Sequence, residues 1–433
     1  MFKSATQQDH GDIGVDGLQN KVRQLIEGKK YFLILDDLWN ERREEWLKLR
    51  EFLQVGAKGS RVVVTTRSKK VAGAIGDDPM HALEGLSDDD SWHLFRRVAF
   101  NQGSGEVDDD LADIGKDIVK KCANVPLAIR VVGSMLYGHD KSEWKLFQRI
   151  KLSEIMGRST EESIMPILKF SYHQLKPQLK SCFSYCALFP KDYQIEKELL
   201  IRLWSAQGYL DNHMQSREDV GEEYFSILLQ RCFLQDIKHD EYGEISSCKM
   251  HDLIHDLAQE VAGKESYFME ETSKRSDGKT RHLATSSLLL NPSDVLDKFR
   301  GLRTFLRPSY RKLDCESQVS TIIAKYRRLR VLDLNMVRIK ALPRTIKNLL
   351  HLRYLDLSHN ERLKTLPESI TRLYNLQVLS LRFCFNLEEL PKDMRELVNL
   401  RHLDIHGCDG LSHMPAGMDS MTGLCTLTRE HIY

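Results

Sequence analysis

A pattern of Leu-x-x-Leu-x-Leu returns through the last third of the chain and leaves few folds open to it. Leu329-Arg330-Val331-Leu332-Asp333-Leu334 recurs as Leu352 to Leu357, Leu376 to Leu381 and Leu400 to Ile405, at intervals of 23, 24 and 24 residues, and Leu424-Cys425-Thr426-Leu427 opens another copy. Each copy keeps a second mark in step (Leu342-Pro343, Leu366-Pro367, Leu390-Pro391, Met414-Pro415) and a third at Ile346, Ile370, Met394 and Met418. The leading part alternates with period two, as a short strand does when one side enters a core. Proline cannot donate to a ladder, so the strand ends before it and the remainder returns as loop or helical turn. One such unit cannot bury its apolar side alone, whereas stacked units can, so the segment reads as a solenoid. Val337, Asn360, Cys384 and Cys408 occupy one equivalent position in it. In-phase thiols could suggest a metal site, but small side chains stacked in the interior suit the pattern better. Leu302 to Leu306 reads as a degenerate first copy.

The rest of the chain is too long for one more core. Of its 433 residues 41% are hydrophobic and 29% charged, a globular balance, and a net charge of +1 gives the whole molecule no nucleic-acid footprint. Nine scattered cysteines form no disulfide framework and suit a reducing compartment. The first ten residues lack an apolar signal core, and no apolar run approaches the roughly 20 residues that span a bilayer. A cytoplasmic protein without a membrane span is expected.

Tyr31-Phe32-Leu33-Ile34-Leu35-Asp36-Asp37 is an apolar run ending in two carboxylates. Such a run suits a parallel strand covered on both faces, and acids at its C-terminal end lie where open α/β sheets bind ligands. One carboxylate can hold Mg²⁺ through water and the next can orient an attacking water. Trp39 to Leu53 reads as an amphipathic helix with Trp46 and Leu49 on its apolar side. A second strand, Arg61 to Val64, leads to Thr65-Thr66-Arg67, which brings Arg67 to the same sheet edge, where it could sense a γ-phosphate.

In this order the motifs resemble the NB-ARC module of plant disease-resistance proteins. Further blocks follow in sequence: Leu86-Ser87-Asp88 to Phe95, Cys122-Ala123-Asn124-Val125-Pro126-Leu127-Ala128, Cys182 to Pro190, and Met250-His251-Asp252. With the repeats, the resemblance covers nearly all of residues 13–433. It implies an intracellular innate immune receptor that switches between ADP-bound resting and ATP-bound active states. By the same resemblance Asp36 is the Mg²⁺ acid, Asp37 the hydrolytic acid and Arg67 the γ-phosphate sensor. Pro126 with Leu127 packs against adenine, and His251 touches the β-phosphate of ADP and latches the closed state. Asn124-Val125 departs mildly from the family's usual residues before the proline. Trp39 and the block around Trp204 look more like the coiled-coil branch than the other. The implied partners are a pathogen effector or a guarded host protein on the repeats, with a homo-oligomer on activation of a full-length form.

The implied fold class is an α/β partial P-loop NTPase domain, then a helical bundle, a winged-helix domain and an α/β leucine-rich-repeat solenoid. The expected boundaries are 1–85, 86–170, 171–262, a linker over 263–300, and repeats over 301–433. The first domain is called partial because a phosphate loop needs Gly, four residues, Gly-Lys and Ser/Thr. Gly28-Lys29, Gly115-Lys116, Gly263-Lys264 and Gly278-Lys279 all fail that test, and 35 residues precede Asp36, so the chain is expected to enter the domain midway. Hydrogen bonds to a charged partner are worth roughly 1.5–3 kcal/mol each. Losing three or four loop N–H groups and the lysine therefore costs roughly 5 kcal/mol or more, thousands-fold in affinity. Weak or absent ADP/ATP and Mg²⁺ binding is expected, and little of the family's weak ATPase activity. The competing expectation is a non-switching relative that serves as a protein-interaction or decoy module.

Two local features complete the reading. Residues 211–260 hold twelve acids against four Lys/Arg, which disfavours DNA as a winged-helix partner, while residues 301–353 hold thirteen Lys/Arg against three acids. The basic start of the solenoid is expected to dock on the acidic winged-helix region, with Arg327, Arg328 and Arg330 contributing. His251 and His255 have the i, i+4 spacing of a zinc pair, but Leu253, Ile254 and Leu257 read as helix core. Cys182 and Cys186 likewise read as buried helix residues.

Overall fold

The computed structural model describes residues 15–76, 80–100, 109–149, 164–210, 215–269, 279–286, 299, 301–308, 312 and 316–428. They belong to two units, Met1–Glu84 and Gly85–Tyr433. In the first, α1 (Val15–Ile26), β1 (Phe32–Leu35), α2 (Arg43–Leu53), β2 (Arg61–Val64) and α3 (Lys69–Ile75) follow one another. The strands pair in parallel, Phe32 beside Arg61 and Leu35 beside Val64, as strands joined through a helix do. Their expected burial on both faces is corrected. Phe32 is 66% and Ile34 57% exposed, while Leu33 and Leu35 are half-buried, because one face of this two-stranded sheet is packed and the other is open. The helix expected from Trp39 begins at Arg43 instead. The Asn40 side chain accepts the Arg42 N–H at 2.9 Å, a local turn that competes with helix.

The second unit opens with α4 (Asp88–Ala99), α5 (Asp109–Lys120), α6 (Pro126–Leu136), α7 (Lys141–Arg149) and α8 (Ile164–His173), the last running across residue 170. Phe95, Ile118, Val132 and Trp144 fill their core, and the Trp144 indole donates to the Leu136 carbonyl at 3.1 Å. Next come α9 (Pro177–Tyr185), β3 (Ile195–Glu196), α10 (Lys197–Gln207), α11 (Arg217–Gln230), β4 (Gln235–His239), β5 (Ile245–Lys249) and α12 (Asp252–Ala262). The three strands pair antiparallel in the order β3-β5-β4, the helices-plus-hairpin arrangement of a winged helix. Trp204 is fully buried and its indole donates to the Cys182 carbonyl at 3.0 Å. Cys182 and Cys186 are buried, and burial pushes both thiols up.

The repeats form a parallel sheet of eight strands in sequence order: β6 (Ser266–Met269), β7 (His282–Thr285), β8 (Thr304–Leu306), β9 (Val331–Asp333), β10 (Tyr354–Asp356), β11 (Val378–Ser380), β12 (His402–Asp404) and β13 (Thr426–Thr428). Between β8 and β9 lies α13 (Glu316–Lys325). The expected linker over 263–300 is thereby corrected, since β6 and β7 within it belong to the solenoid sheet. Every residue of β7 is buried, as in the later strands β9, β11 and β12, but its segment lacks the Leu-x-x-Leu-x-Leu motif that marks them. Short 3₁₀ turns after the prolines, such as Arg344–Asn348 and Glu368–Arg372, make the return.

Inside, the equivalent positions carry one task. The Asn360 amide donates to the carbonyls of Leu334 (3.0 Å) and Leu357 (2.7 Å) and accepts from Ile339 N–H. Cys384 donates its thiol proton to Leu357 O at 3.2 Å and Cys408 to Leu381 O at 3.0 Å. Burial pushes the Cys384 thiol up to about 12, so it remains protonated, as this donor role requires. These thiols bridge turns of the solenoid.

On the opposite side of the strands, Ala284, Leu306, Val331, Tyr354 and Val378 share one buried cluster with Leu200, Leu203 and Trp204 of α10. The inward leucines form a separate cluster. The strand face of the early repeats is therefore filled by the winged-helix domain.

Candidate functional site

In the first unit the chain leaves β1 through Asp36 and Asp37, the latter at φ 51°. Thr65, at the end of β2, donates its hydroxyl to Asp36 and accepts the Asp37 N–H at 2.8 Å. Asp37 also accepts the Trp39 indole N–H at 3.0 Å and two guanidinium bonds from Arg67, Nε at 3.3 Å and Nη2 at 3.2 Å. The Arg67 guanidinium lies 4.5 Å from the Trp39 ring centroid, a cation–π contact that fixes its plane. Thr66 donates to Leu38 O at 2.7 Å, and Ser68 caps α3 by accepting from Val71 N–H. The parallel pairing of β1 with β2 thus brings Asp36, Asp37 and Arg67 together. Arg67 is already bound to a carboxylate and an indole.

Pro126, Leu127 and His251 lie in the second unit. Pro126 is exposed and stands at the first position of α6, where its missing N–H costs nothing. Leu127 is buried. The preceding turn is held by Asn124, at φ 60°, whose amide donates to Asp88 at 3.1 Å and accepts from the Ser91 hydroxyl at 3.2 Å. His251 caps α12, its Nδ1 accepting Leu253 N–H at 3.2 Å. His255 is buried and its Nε2 donates to Phe189 O at 2.8 Å. The two rings are engaged in unlike ways, which leaves the zinc-pair reading without support. Burial pushes His255 below the usual histidine value.

The most extensive polar contact of the second unit joins the winged-helix domain to the repeats. The residue after the first leucine of each repeat points at it. Arg330 donates to Gln207 O at 2.6 Å and Arg353 to Ala206 O at 3.4 Å. These are last-turn carbonyls of α10, which have no partner inside the helix and carry the negative end of its dipole. Gly208 follows at φ 79°, and a Cβ there would stand 3.2 Å from the Arg353 guanidinium. One repeat on, Ser205 donates to Gln377 at 3.3 Å. At the next, Arg401 grips Glu218 with two bonds, Nε at 2.8 Å and Nη2 at 2.7 Å, and His402 Nε2 meets the same carboxylate at 3.1 Å. Hydrogen bonds from His402 and then Arg401 hold the Glu218 carboxyl well below the usual range.

Of the three arginines expected to dock, Arg330 makes the contact, and Arg327 and Arg328 take no part in the contacts above. Arg330 contacts carbonyls, Glu218 pairs beyond the basic segment, and Arg327 and Arg328 are exposed. Arg303, Arg330, Arg353 and Arg401 recur at one repeat position, a signal that could have identified the row. Glu218 carries no such mark.

A buried network closes the junction. Thr304 accepts the Gln207 amide at 2.8 Å, and its hydroxyl also lies 3.0 Å from the Tyr185 hydroxyl and 2.9 Å from His282 Nδ1, while His282 Nε2 stands 3.5 Å from the Tyr209 hydroxyl. Burial, with Arg303, Arg281 and Arg330 nearby, pushes His282 down to about 3. The unfolded imidazole titrates near 6.5, so between about pH 6.5 and 3 the unfolded chain binds the extra proton and stability falls with pH. Each pH unit costs about 1.4 kcal/mol, hence about 2 kcal/mol between pH 7 and pH 5. His282→Gln is expected to lose that part of the slope in urea unfolding, and equal slopes for variant and wild type would contradict it.

Comparison with known proteins agrees in order and extent. The NB-ARC domain model matches residues 1–105, the disease resistance protein winged helix domain 188–258, and the leucine-rich repeat region 309–433. Disease resistance protein RGA2 of Solanum bulbocastanum is 43% identical over 270 residues, 61% of this chain and 27% of its own length. Disease resistance RPP13-like protein 4 of Arabidopsis thaliana is 34% identical over 361 residues, 80% of this chain and 41% of its own. Disease resistance protein RPP13 of the same plant is 33% identical over 349 residues, 78% and 40% respectively. The chain spans about a quarter to two fifths of the length of these relatives. No described helix is long and apolar enough to cross a membrane. An NB-ARC segment, a resistance-type winged helix and a leucine-rich repeat array, in that order and with these relatives, make the chain a member of the NB-ARC leucine-rich-repeat family of plant disease-resistance proteins.

Proposed function

We propose that this chain acts in plant innate immunity as a cytoplasmic receptor whose repeats serve both recognition and autoinhibition. The observation that supports this best is the grip of Arg330, Arg353 and Arg401 on α10 and α11 of the winged-helix domain. A repeat array that holds the switch region of its own chain can release it when a partner competes. The partner would be a pathogen effector or a guarded host protein, and activation of a longer form would assemble a homo-oligomer. Asp36 would be the magnesium acid, Asp37 the hydrolytic acid and Arg67 the γ-phosphate sensor of an ADP/ATP switch. Pro126 and Leu127 would face adenine, and His251 the β-phosphate.

The residues of this chain do not fit the nucleotide by themselves. Arg67 is committed to Asp37 and Trp39, and these 433 residues contain no glycine loop with its lysine. The non-switching reading, an interaction or decoy module, has these two observations in its favour. Titration calorimetry of ADP into the purified chain is expected to give no micromolar binding; a micromolar dissociation constant would restore the switch to this chain and exclude the module reading.

A further inference from the structure

The strand face of the early repeats is covered, yet one lateral edge of the solenoid carries a surface that the winged-helix domain does not use. Two residues past the last inward side chain of each strand stand Met336, His359, Phe383 and Gly407, all left-handed, at φ 59°, 58°, 56° and 68°. Their loops are tied together: Met336 N–H donates to Ser358 O at 3.0 Å, His359 to Arg382 O and Phe383 to His406 O, both at 2.7 Å. The rings pack against one another along this ladder. His359 and Phe383 centroids lie 4.8 Å apart, Phe383 and His406 5.0 Å at 88°, and Phe383 and Phe385 5.9 Å. A Cβ on Gly407 would stand 2.6 Å from the Phe383 ring, so glycine there is what lets the ring lie flat. Phe385 is 42% exposed at the outer end of the row.

The charge around this ridge is net positive. Arg382 lies 5.8 Å from the Phe383 centroid and 3.5 Å from the Asp404 carboxylate. Across loops 335–340, 358–363, 382–387 and 406–411, together with Lys312 and Asp404, five Lys/Arg stand against Glu361, Asp404 and Asp409. Glu361 is itself bound to Lys312 at 2.7 Å. A rigid aromatic ladder rimmed by arginine has the composition of a binding hot spot, and its net positive charge selects a negatively charged occupant.

We infer that this ridge docks an acidic segment of a partner protein, with carboxylates on Arg338 and Arg382 and an apolar side chain against Phe385 and Phe383. The inference rests on the reading of the repeats as a recognition surface. Single-stranded nucleic acid is the lesser fit, because base stacking needs open ring faces and the Phe383 ring is already packed against His359 and His406.

The test uses the full chain and a fluorescein-labelled random copolymer of glutamate and tyrosine, read by fluorescence polarisation at low salt. Wild type is expected to bind it. Arg338→Glu with Arg382→Glu is expected to weaken binding by about tenfold or more and to favour a lysine–tyrosine copolymer instead. Phe385→Ser, a change at an exposed ring that leaves the core intact, is the second variant and is expected to weaken binding with an unchanged melting temperature. Equal binding by wild type and both variants, preference of wild type for oligothymidine, or no binding at all would overturn the ridge. The broader reading fails separately: it is lost only if Tyr354→Ala with Arg401→Glu, which together loosen the winged-helix domain from the strand face, also creates no binding of either copolymer.

Discussion

Replacing Tyr354 by alanine is expected to loosen the winged-helix domain from the repeats by about 3–5 kcal/mol, the usual cost of truncating a buried aromatic. Tyr354 is 4% exposed on β10 and lies in the same cluster as Trp204 and Leu203. Its hydroxyl donates to Asp356 at 3.3 Å, so Tyr354→Phe separates that single bond from the packing and is expected to cost about 1 kcal/mol. Amide hydrogen exchange is the measurement. Protection of α10 and of the Gly208 turn should fall by about two to four powers of ten in the alanine variant. The inward strand residues Leu332, Leu355 and Leu379 belong to the other core and should keep theirs. Unchanged exchange across α10 would mean that Tyr354 does not hold the junction.

Arg401→Glu has the second largest expected effect. It removes a two-pronged ion pair and leaves two carboxylates facing each other. Breaking a hydrogen-bonded pair of limited exposure costs about 2–4 kcal/mol, partly through the stranded charge. Glu218 retains 33% of its side-chain exposure, which places the expectation at the lower end. The double exchange Glu218→Arg with Arg401→Glu should recover most of the loss, and a cycle of the single and double variants isolates the pair. The same bond predicts a pH window. A carboxylate whose folded value is depressed contributes fully above its unfolded value of about 4.3 and loses that contribution as pH falls through the folded value. The Glu218 contact should therefore persist through neutral and mildly acidic solution. Reversal at exposed Arg327 and Arg328 should leave exchange at the junction unchanged. If it does not, charge at a distance outweighs the contacts described here.

Much of this architecture was legible in the residues. The repeats could be read because Leu-x-x-Leu-x-Leu, Leu-Pro and the Asn/Cys position keep step over four copies. Asp36, Asp37 and Arg67 could be placed at one sheet edge because each follows an apolar run of strand length. The errors have a common cause. β6 and β7 read as linker because neither carries the Leu-x-x-Leu-x-Leu motif of the later strands. Phe32 and Ile34 were expected to be covered because an apolar run specifies its preference and not its neighbours. The helix after Trp39 was begun early because a turn held by one asparagine side chain leaves no periodic trace.

The sequence by itself determined a stack of repeats, since its leucines recur at a spacing that only stacking can bury, and it determined the order of the modules before that stack. Tertiary structure alone decided what the other side of each strand meets. Period two states which side chains enter the strand's own core and is silent about the side that faces away. Arg401 and Glu218 are separated by 183 residues. They meet because successive strands advance by one sheet spacing, about 4.8 Å, which lays the arginine row along the end of α10 and the start of α11. That coincidence of spacing exists only in the folded chain.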